Sequence, residues 1–388
     1  VAPVTTGHAA GPTTGSVFDH PAGGTTHTGE SRLPGPDVVR AVALIGVVVM
    51  NYHGYLNGSD ARAEPGEAFA ARLFDPWEGV LATRFAATFV LVAGIGVALF
   101  SRRSLASGDR EAIRVDQWRL FRRGLVLYAG GFALNWVWPG TILFFYGAYF
   151  MVAALVLTWR SRWLVVLGGA SAVAAAGLAW WRFERELDGH STAWLAPDDP
   201  DTPRELLIRT FVDYTHPLLP WLAFLFAGMV IGRALPSFER TRWRLTALGA
   251  AMLAGSYAVA TLSGDGSPRA ALLTSTRPYD RGLAYTVGTL GSSIVVYCVV
   301  SWVADRWTTA APVELLRRAG QLTLSLYLAH VFVFRGVVDW WGWVGPTGLD
   351  TALVLSAVFW VVAIAVAAWW QHHLGAGPAE RLYRALGG

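Results

Sequence analysis

The sequence predicts an all-α, polytopic integral membrane protein of about ten transmembrane helices with both termini in the cytoplasm. Three observations predict it. The 388-residue chain is 54% hydrophobic but only 15% charged, where a soluble domain carries about a quarter charged residues. Its apolar runs are roughly twenty residues long, enough to cross a bilayer core as helices and unlike the short alternating strands of a barrel. Its arginines gather in one alternate set of loops, as loops on the cytoplasmic side do.

Residues 1–36 are rich in Gly, Thr, Pro and Ser and show no apolar period, so they read as a disordered tail. The tail has no apolar core of a signal peptide, and His8, His20 and His27 are too sparse for a metal site. Residues 37–388 read as a single transmembrane domain. The candidate spans are 38–57, 77–100, 120–138, 141–158, 163–181, 217–232, 245–263, 283–303, 319–337 and 350–370. The 31 basic residues are all arginine. The loops at 101–119, 159–162, 233–244 and 304–318 and the C-terminal tail hold most of those in the domain. The opposite loops hold fewer and carry more acids, among them Asp198, Asp199 and Asp201. This bias predicts a multi-pass protein of the cell (inner) membrane. Tryptophan pairs such as Trp180–Trp181 and Trp369–Trp370 fall at predicted edges, as an aromatic belt requires. Segment 182–216 is the largest predicted extracytoplasmic loop, and Thr202, Pro203 and Glu205 mark a helix start within it.

The net charge of +4 does not point to nucleic acid. The single cysteine, Cys298, forms neither an intramolecular disulfide nor a multi-cysteine metal site. No metal is expected, and no phosphate-binding glycine loop or metalloprotease motif is present.

The first span, "DVVRAVALIGVVVMNYHGYLNG", has polar residues at both ends. Asp37 and Arg40 are one turn apart and can face each other. Asn51 follows Arg40 by eleven residues, close to three full turns, so Asp37, Arg40 and Asn51 share one stripe about 20 Å long. The stripe suits a helix lining a buried polar path; a solvated ion pair at the helix start also fits Asp37 and Arg40. His53 lies about 200° from Asn51. It joins the stripe only if the helix unwinds at "NYHG", which Gly54 and Gly58 permit. Otherwise it is an interfacial histidine.

The first-span stretch "DVVRAVALIGVVVMN" resembles the first-helix signature of the YeiB-like and heparan-α-glucosaminide N-acetyltransferase-like families, within the transmembrane acyltransferase superfamily. The resemblance continues through "FVLVAGIGVALFSRR", "FRRGLVLYAGGFALNWVWPGTILFFYGAYF", "HPLLPWLAFLFAGMVIGR", "GQLTLSLYLAH" and "GPAERLYRALG", and so covers nearly the whole chain from Asp37 to Arg384. It departs at Ala41, where a glycine is usual, and at Thr141, where an aspartate is common. Asn51 stands at a motif position. The catalytic histidine of the glucosaminide branch follows some eleven residues later, where this chain has Arg62, so no histidine is carried over.

Other polar residues interrupt the apolar runs. Thr323, Tyr327 and His330 share one face of the ninth span. His330 has the residue type for acid–base work, with an interhelical hydrogen bond as the alternative. Arg84 needs a partner at its depth, and Glu78 or a substrate would serve. Asn135 and Tyr146 flank the "WPGT" turn and can line a cavity or simply pack. Arg335 reads as a snorkelling residue, His216 as a helix-start residue, and His372 and His373 as interfacial. Arg102, Arg103, Arg122 and Arg123 form two doublets able to hold the phosphates of acyl-CoA, or to fix topology.

The resemblance, with these polar residues in apolar runs, implies a membrane acyltransferase and the direction of its transfer. It would move an acyl group, acetyl by default, from cytoplasmic acetyl-CoA to a hydroxyl or amine of an extracytoplasmic glycan or glycolipid. His53, His330 and Asn51 are the candidate catalytic residues. Asp37, Arg40, Arg84, Tyr146 and Tyr327 are candidates for the substrate path. A direct transfer and an acyl-histidine intermediate are both compatible with the residues. Membrane lipids are the expected surroundings, and runs such as "AGGFA" allow a homo-oligomer. The competing class is a transporter or flippase for a small solute or lipid, whose charged residues would form a gated path.

Overall fold

Pro34 opens the first helix. The computed structural model describes residues 34–57, 69–197, 202–263, 266–345 and 347–388. The tail up to residue 33, with His8, His20 and His27, lies outside the described residues, as do Gly58, Arg62, Asp198, Asp199 and Asp201. The described elements are all helical. The first half of the chain forms α1 (Pro34–Leu56), α2 (Phe69–Phe74), α3 (Arg84–Phe100), α4 (Arg102–Ser107), α5 (Arg110–Asn135), α6 (Leu143–Leu155), α7 (Ser161–Leu187) and α8 (Pro203–Phe211). The second half forms α9 (Leu218–Ala234), α10 (Phe238–Leu262), α11 (Pro268–Thr274), α12 (Leu283–Arg306), α13 (Ala311–Gln321), α14 (Thr323–Phe334), α15 (Leu349–Leu374) and α16 (Pro378–Gly387). Proline starts several of them, where its missing N–H costs nothing. At α8 the Thr202 hydroxyl and Glu205 carboxylate form the reciprocal cap that their spacing predicts.

Five helices are long and apolar enough to cross a membrane, six if the bent pair α13–α14 is one span. The sequence predicts about ten, and the helices do not establish that number. α3 and α6 have 17 and 13 residues, about 26 and 20 Å at 1.5 Å per residue, less than a bilayer core. The span expected at 77–100 starts only at Arg84, because Asp75 ties the preceding chain into a loop. The span expected at 319–337 is broken at Leu322, where α13 and α14 meet at 82°.

The outer faces identify the solvent. The most apolar window of α15 has mean hydropathy 2.5, yet only 33% of it is buried. Val354, Val358, Val361, Val362 and Val366 all point outward. Water would not tolerate an apolar face this long on a monomer, so lipid covers it. The protein is a multi-pass membrane protein.

Inside, α1 packs against α3, α12, α13, α14 and α15. Small residues bring the helices together. A Cβ on Gly94 of α3 would lie 2.1 Å from the Leu225 carbonyl oxygen of α9, and one on Gly228 would lie 1.9 Å from that of Leu91. Gly249 and Gly291 join α10 to α12 in the same way. These close pairs leave α1 at the centre, with the bent α13–α14 element against one side of it.

Candidate active site

The break at Leu322 exposes the first N–H groups of α14, which no carbonyl of its own helix can satisfy. Glu380 of α16 satisfies them. Its Oε1 accepts the N–H of Leu324 at 2.8 Å and of Ser325 at 3.1 Å. The Ser325 hydroxyl donates to Oε2 and accepts the Ala379 N–H at 3.1 Å. A carboxylate at a helix N-terminus also opposes the positive end of its dipole. The cap holds α14 at its angle, and the angle points His330 at α1.

The stripe on α1 meets this bent element at both ends. Asp37 accepts from Arg40 at 3.1 Å and from the Gln321 amide, at the end of α13, at 3.0 Å. Arg40 lies against Gly96, where a Cβ would come within 2.7 Å of its guanidinium. Farther along, the Asn51 Nδ2 is 3.2 Å from His330 Nε2. The His330 Nδ1 faces the Tyr327 carbonyl, an acceptor only, so Nδ1 carries the proton. Nε2 therefore presents its lone pair and accepts from the Asn51 amide. The Tyr52 hydroxyl donates to the His330 carbonyl at 3.0 Å. Rings of Tyr327, Trp138 and Tyr52 surround the imidazole at 4.8, 5.6 and 6.0 Å. Tyr327 is held in turn, its hydroxyl 3.0 Å from the Thr141 hydroxyl and accepting the Ile142 N–H at 3.2 Å. His330 is fully buried.

A cavity of about 1160 Å3 reaches Asn51 of this pair from the end of the bundle where α1 and α7 finish and α3 and α9 begin. Asn51 and Tyr327 line it, and it extends along α1 to Val47. Asn51 thus stands between the cavity and the buried imidazole. Asp213, which bridges Arg182 and Arg281, is in its wall. So is His216, whose Nδ1 is buried without a partner. Burial, with Arg281 nearby, lowers the His216 pKa to about 3, so this imidazole is neutral at ordinary pH.

The remaining candidates are placed elsewhere. α1 stays helical through Gly54 to Leu56, so the unwinding that would bring His53 onto the stripe does not occur. His53 points away from Asn51. Its Nδ1 donates to the Phe74 carbonyl at 2.8 Å, and its Nε2 accepts from Asn57 at 3.2 Å. Arg84 is buried and joins α3 to α10 and α12. It donates to the Gly288 carbonyl at 3.1 Å, the Ser292 hydroxyl at 2.9 Å and the Tyr257 hydroxyl at 3.0 Å, as well as to the Val80 carbonyl. Glu78 pairs instead with Arg277 at 3.5 Å. The Tyr146 hydroxyl is buried without a partner. Asn135 accepts from Arg209 at 3.1 Å. Arg335 does not merely snorkel: it donates to the Val137 carbonyl at 2.8 Å and pairs with Asp339.

Arg102 and Arg103 are exposed on α4. Arg122 and Arg123 each donate to a backbone carbonyl at the end of the chain, those of Leu386 and Gly388, at 3.0 Å. His372 and His373 lie side by side with ring centres 4.7 Å apart. Among the described residues no group of three His, Cys, Asp or Glu is placed to hold a metal ion. Tyr52, Gln321 and Glu380 hold the site together and were not among the sequence candidates. The signal for Glu380 was its place in the C-terminal signature "GPAERLYRALG".

Fold and site define a multi-pass helical membrane protein with an amide–imidazole pair at the foot of a cavity. The chain belongs to the family described as heparan-alpha-glucosaminide N-acetyltransferase, catalytic, whose model matches residues 32–262. Residues 233–387 match a second, YeiB-like family, described as a protein of unknown function (DUF418). No curated protein matches the chain. Asn51 falls in the first matched region and His330 in the second, so the pair joins the two.

Proposed function

We propose that the protein is a membrane acyltransferase that moves an acetyl group from acetyl-CoA to a hydroxyl or amine of an extracytoplasmic glycan or glycolipid. The observation that carries this reading is the Asn51–His330 pair at the foot of the cavity, in a chain whose family is named for an N-acetyltransferase. The arginine bias supports an orientation with the cavity end extracytoplasmic and the Asp37 end cytoplasmic. Arg102 and Arg103, exposed on α4, have the fork geometry for phosphates of CoA. The stripe of Asp37, Arg40 and Asn51 is the polar route along α1 from that end toward the cavity.

The chemistry follows from the tautomer. His330 Nε2 holds a lone pair, and in the free protein the Asn51 amide occupies it. An acceptor O–H or N–H in the cavity takes the place of that amide. Nε2 then removes the acceptor's proton as its oxygen or nitrogen attacks the thioester carbonyl. The released Asn51 amide donates to the carbonyl oxygen as negative charge develops there. The C–S bond breaks, His330 returns the proton to the thiolate, and acylated acceptor and CoA result. A transfer through acyl-His330 uses the same lone pair as nucleophile.

The test is radiolabelled acetyl-CoA with the detergent-purified protein and crude envelope glycolipids. Label in the lipid fraction with matching CoA release is the expected result. No acetyl-CoA binding, no transfer and no CoA release would sink the enzyme reading. A transporter or flippase draws on one observation, the broken helix at Leu322, since broken helices frame transporter sites. Solute or lipid movement in proteoliposomes without CoA release would favour it.

A further inference from the structure

Two aromatic side chains stand at the mouth of the cavity with no part in the chemistry above. Trp77 comes from the loop before α3 and Tyr279 from the loop before α12. Their rings are 5.6 Å apart and tilted by 42°. Both line the cavity, and they are 38% and 40% exposed. Aromatic residues at a membrane boundary commonly face lipid headgroups. These two instead pack on each other, from separate loops, at the opening.

Both loops are fixed. Asp75 accepts the N–H groups of Trp77 at 2.8 Å and Glu78 at 2.6 Å. The short turn Pro278–Asp280 that carries Tyr279 is held by the Ser275 hydroxyl on Asp280 and by the neighbouring Arg281 on Asp213. Each loop ends on a residue in the left-handed region, Thr83 at φ 61° and Arg281 at φ 51°. They are the two non-glycine residues with positive φ among the described residues. Backbone of that kind persists only where surrounding bonds enforce it; here the Thr83 hydroxyl lies 2.8 Å from that of Tyr285. Rings held this way lose little freedom when a ligand binds.

The surroundings define the ligand. Asp75, Glu78, Asp280 and Arg277 line the same mouth. Carboxylates accept hydrogen bonds from hydroxyls, a guanidinium donates to ring or hydroxyl oxygens, and aromatic faces cover apolar C–H surface. A phosphate is disfavoured, because the acids repel it and Arg277 and Arg281 already face Glu78 and Asp213. A hydrocarbon chain gains nothing from the acids. A sugar ring has both an apolar face and a hydroxyl edge.

We propose that Trp77 and Tyr279 form a saccharide-binding subsite that holds a sugar ring of the acceptor at the cavity mouth while its reactive group reaches Asn51. This rests on reading the cavity as the acceptor side of an acyltransferase. The test pairs direct binding with turnover. Trisaccharides of glucose, galactose and N-acetylglucosamine are offered to the full chain in nanodiscs, with saturation-transfer NMR as readout. At least one is expected to bind, with affinity falling about tenfold or more in Trp77→Ala and in Tyr279→Ala. Trp77→Phe should keep most of it. Acetyl-CoA affinity should stay unchanged in all three variants, which shows that they fold. No binding of any trisaccharide, or equal binding by wild type and both alanine variants, overturns the subsite. Binding lost in both alanine variants, whose thermal melts match wild type, and kept by Trp77→Phe, in a protein that neither binds acetyl-CoA nor releases CoA, keeps the subsite and rejects the transferase. Acetyl transfer to a non-sugar acceptor without trisaccharide binding does the reverse.

Discussion

The Asn51 amide and the His330 Nε2 lie 3.2 Å apart although 279 positions separate them in the chain. The Tyr327 carbonyl on Nδ1 makes Nε2 the basic nitrogen, and the Asn51 amide closes it off from the cavity until something displaces it. Removal of the imidazole in His330→Ala should lower kcat by about 10²-fold or more, the usual worth of a general base. Asn51→Ala should lower kcat with a smaller change in KM, since an oxyanion donor acts mainly in the transition state. Steady-state CoA release checks both, and full activity in His330→Ala would remove the imidazole from the mechanism.

His53 makes the opposite prediction. Its ring ties α1 to the end of α2 and to Asn57, away from the cavity. His53→Ala should retain transfer within about threefold while losing about 1–2 kcal/mol of stability through two broken hydrogen bonds. A thermal melt alongside the activity assay separates the two effects. A loss as large as that of His330→Ala would return His53 to the chemistry.

Glu380 is a third case, a residue remote from the cavity whose loss should nonetheless silence it. Glu380→Ala leaves the Leu324 and Ser325 N–H groups without their acceptor at the break, at a cost of about 1 kcal/mol for each half-buried donor. The variant should melt earlier and lose activity, and Glu380→Gln should recover part of both. Faster hydrogen exchange confined to the start of α14 would be the direct signature.

His216 gives the protein a pH dependence of definite sign. Its folded pKa is about 3, below the unfolded value of about 6.5. Between those values the unfolded chain binds a proton that the folded chain refuses, so stability falls as pH drops below about 6.5 and is unaffected above it. The slope is about 1.4 kcal/mol per pH unit from this residue. Thermal melts at pH 7 and pH 5 should differ more for wild type than for His216→Gln. Equal shifts would mean that the imidazole protonates in the folded protein, despite Arg281.

The class of protein was legible from composition alone, because too few charges and too many twenty-residue apolar runs leave only a helical membrane protein. Asn51 and His330 were each visible as polar residues in apolar runs. Their meeting was not, since it depends on an 82° break at Leu322 in a stretch that reads as one continuous apolar span. His53 drew attention because glycine permits unwinding at "NYHG"; permission is not a force, and α1 closes its backbone bonds through Gly54. Glu380 was not singled out, although it lies in the signature "GPAERLYRALG". Its burial comes from α16 folding back onto the break, which no local pattern records. Residues 77–83 read as the start of a span because they run into the apolar stretch that follows, whereas the two N–H groups captured by Asp75 hold the chain there in a loop.

The cap on α14 also sets an order of events during synthesis. Asn51 leaves the ribosome early, and His330 follows after α13. The carboxylate that holds the histidine's helix in place arrives only with Pro378–Gly387. A nascent chain halted before α16 would carry both members of the pair yet lack the clasp that aligns them. Alignment of His330 with Asn51 would then wait until α16 has folded back onto the break.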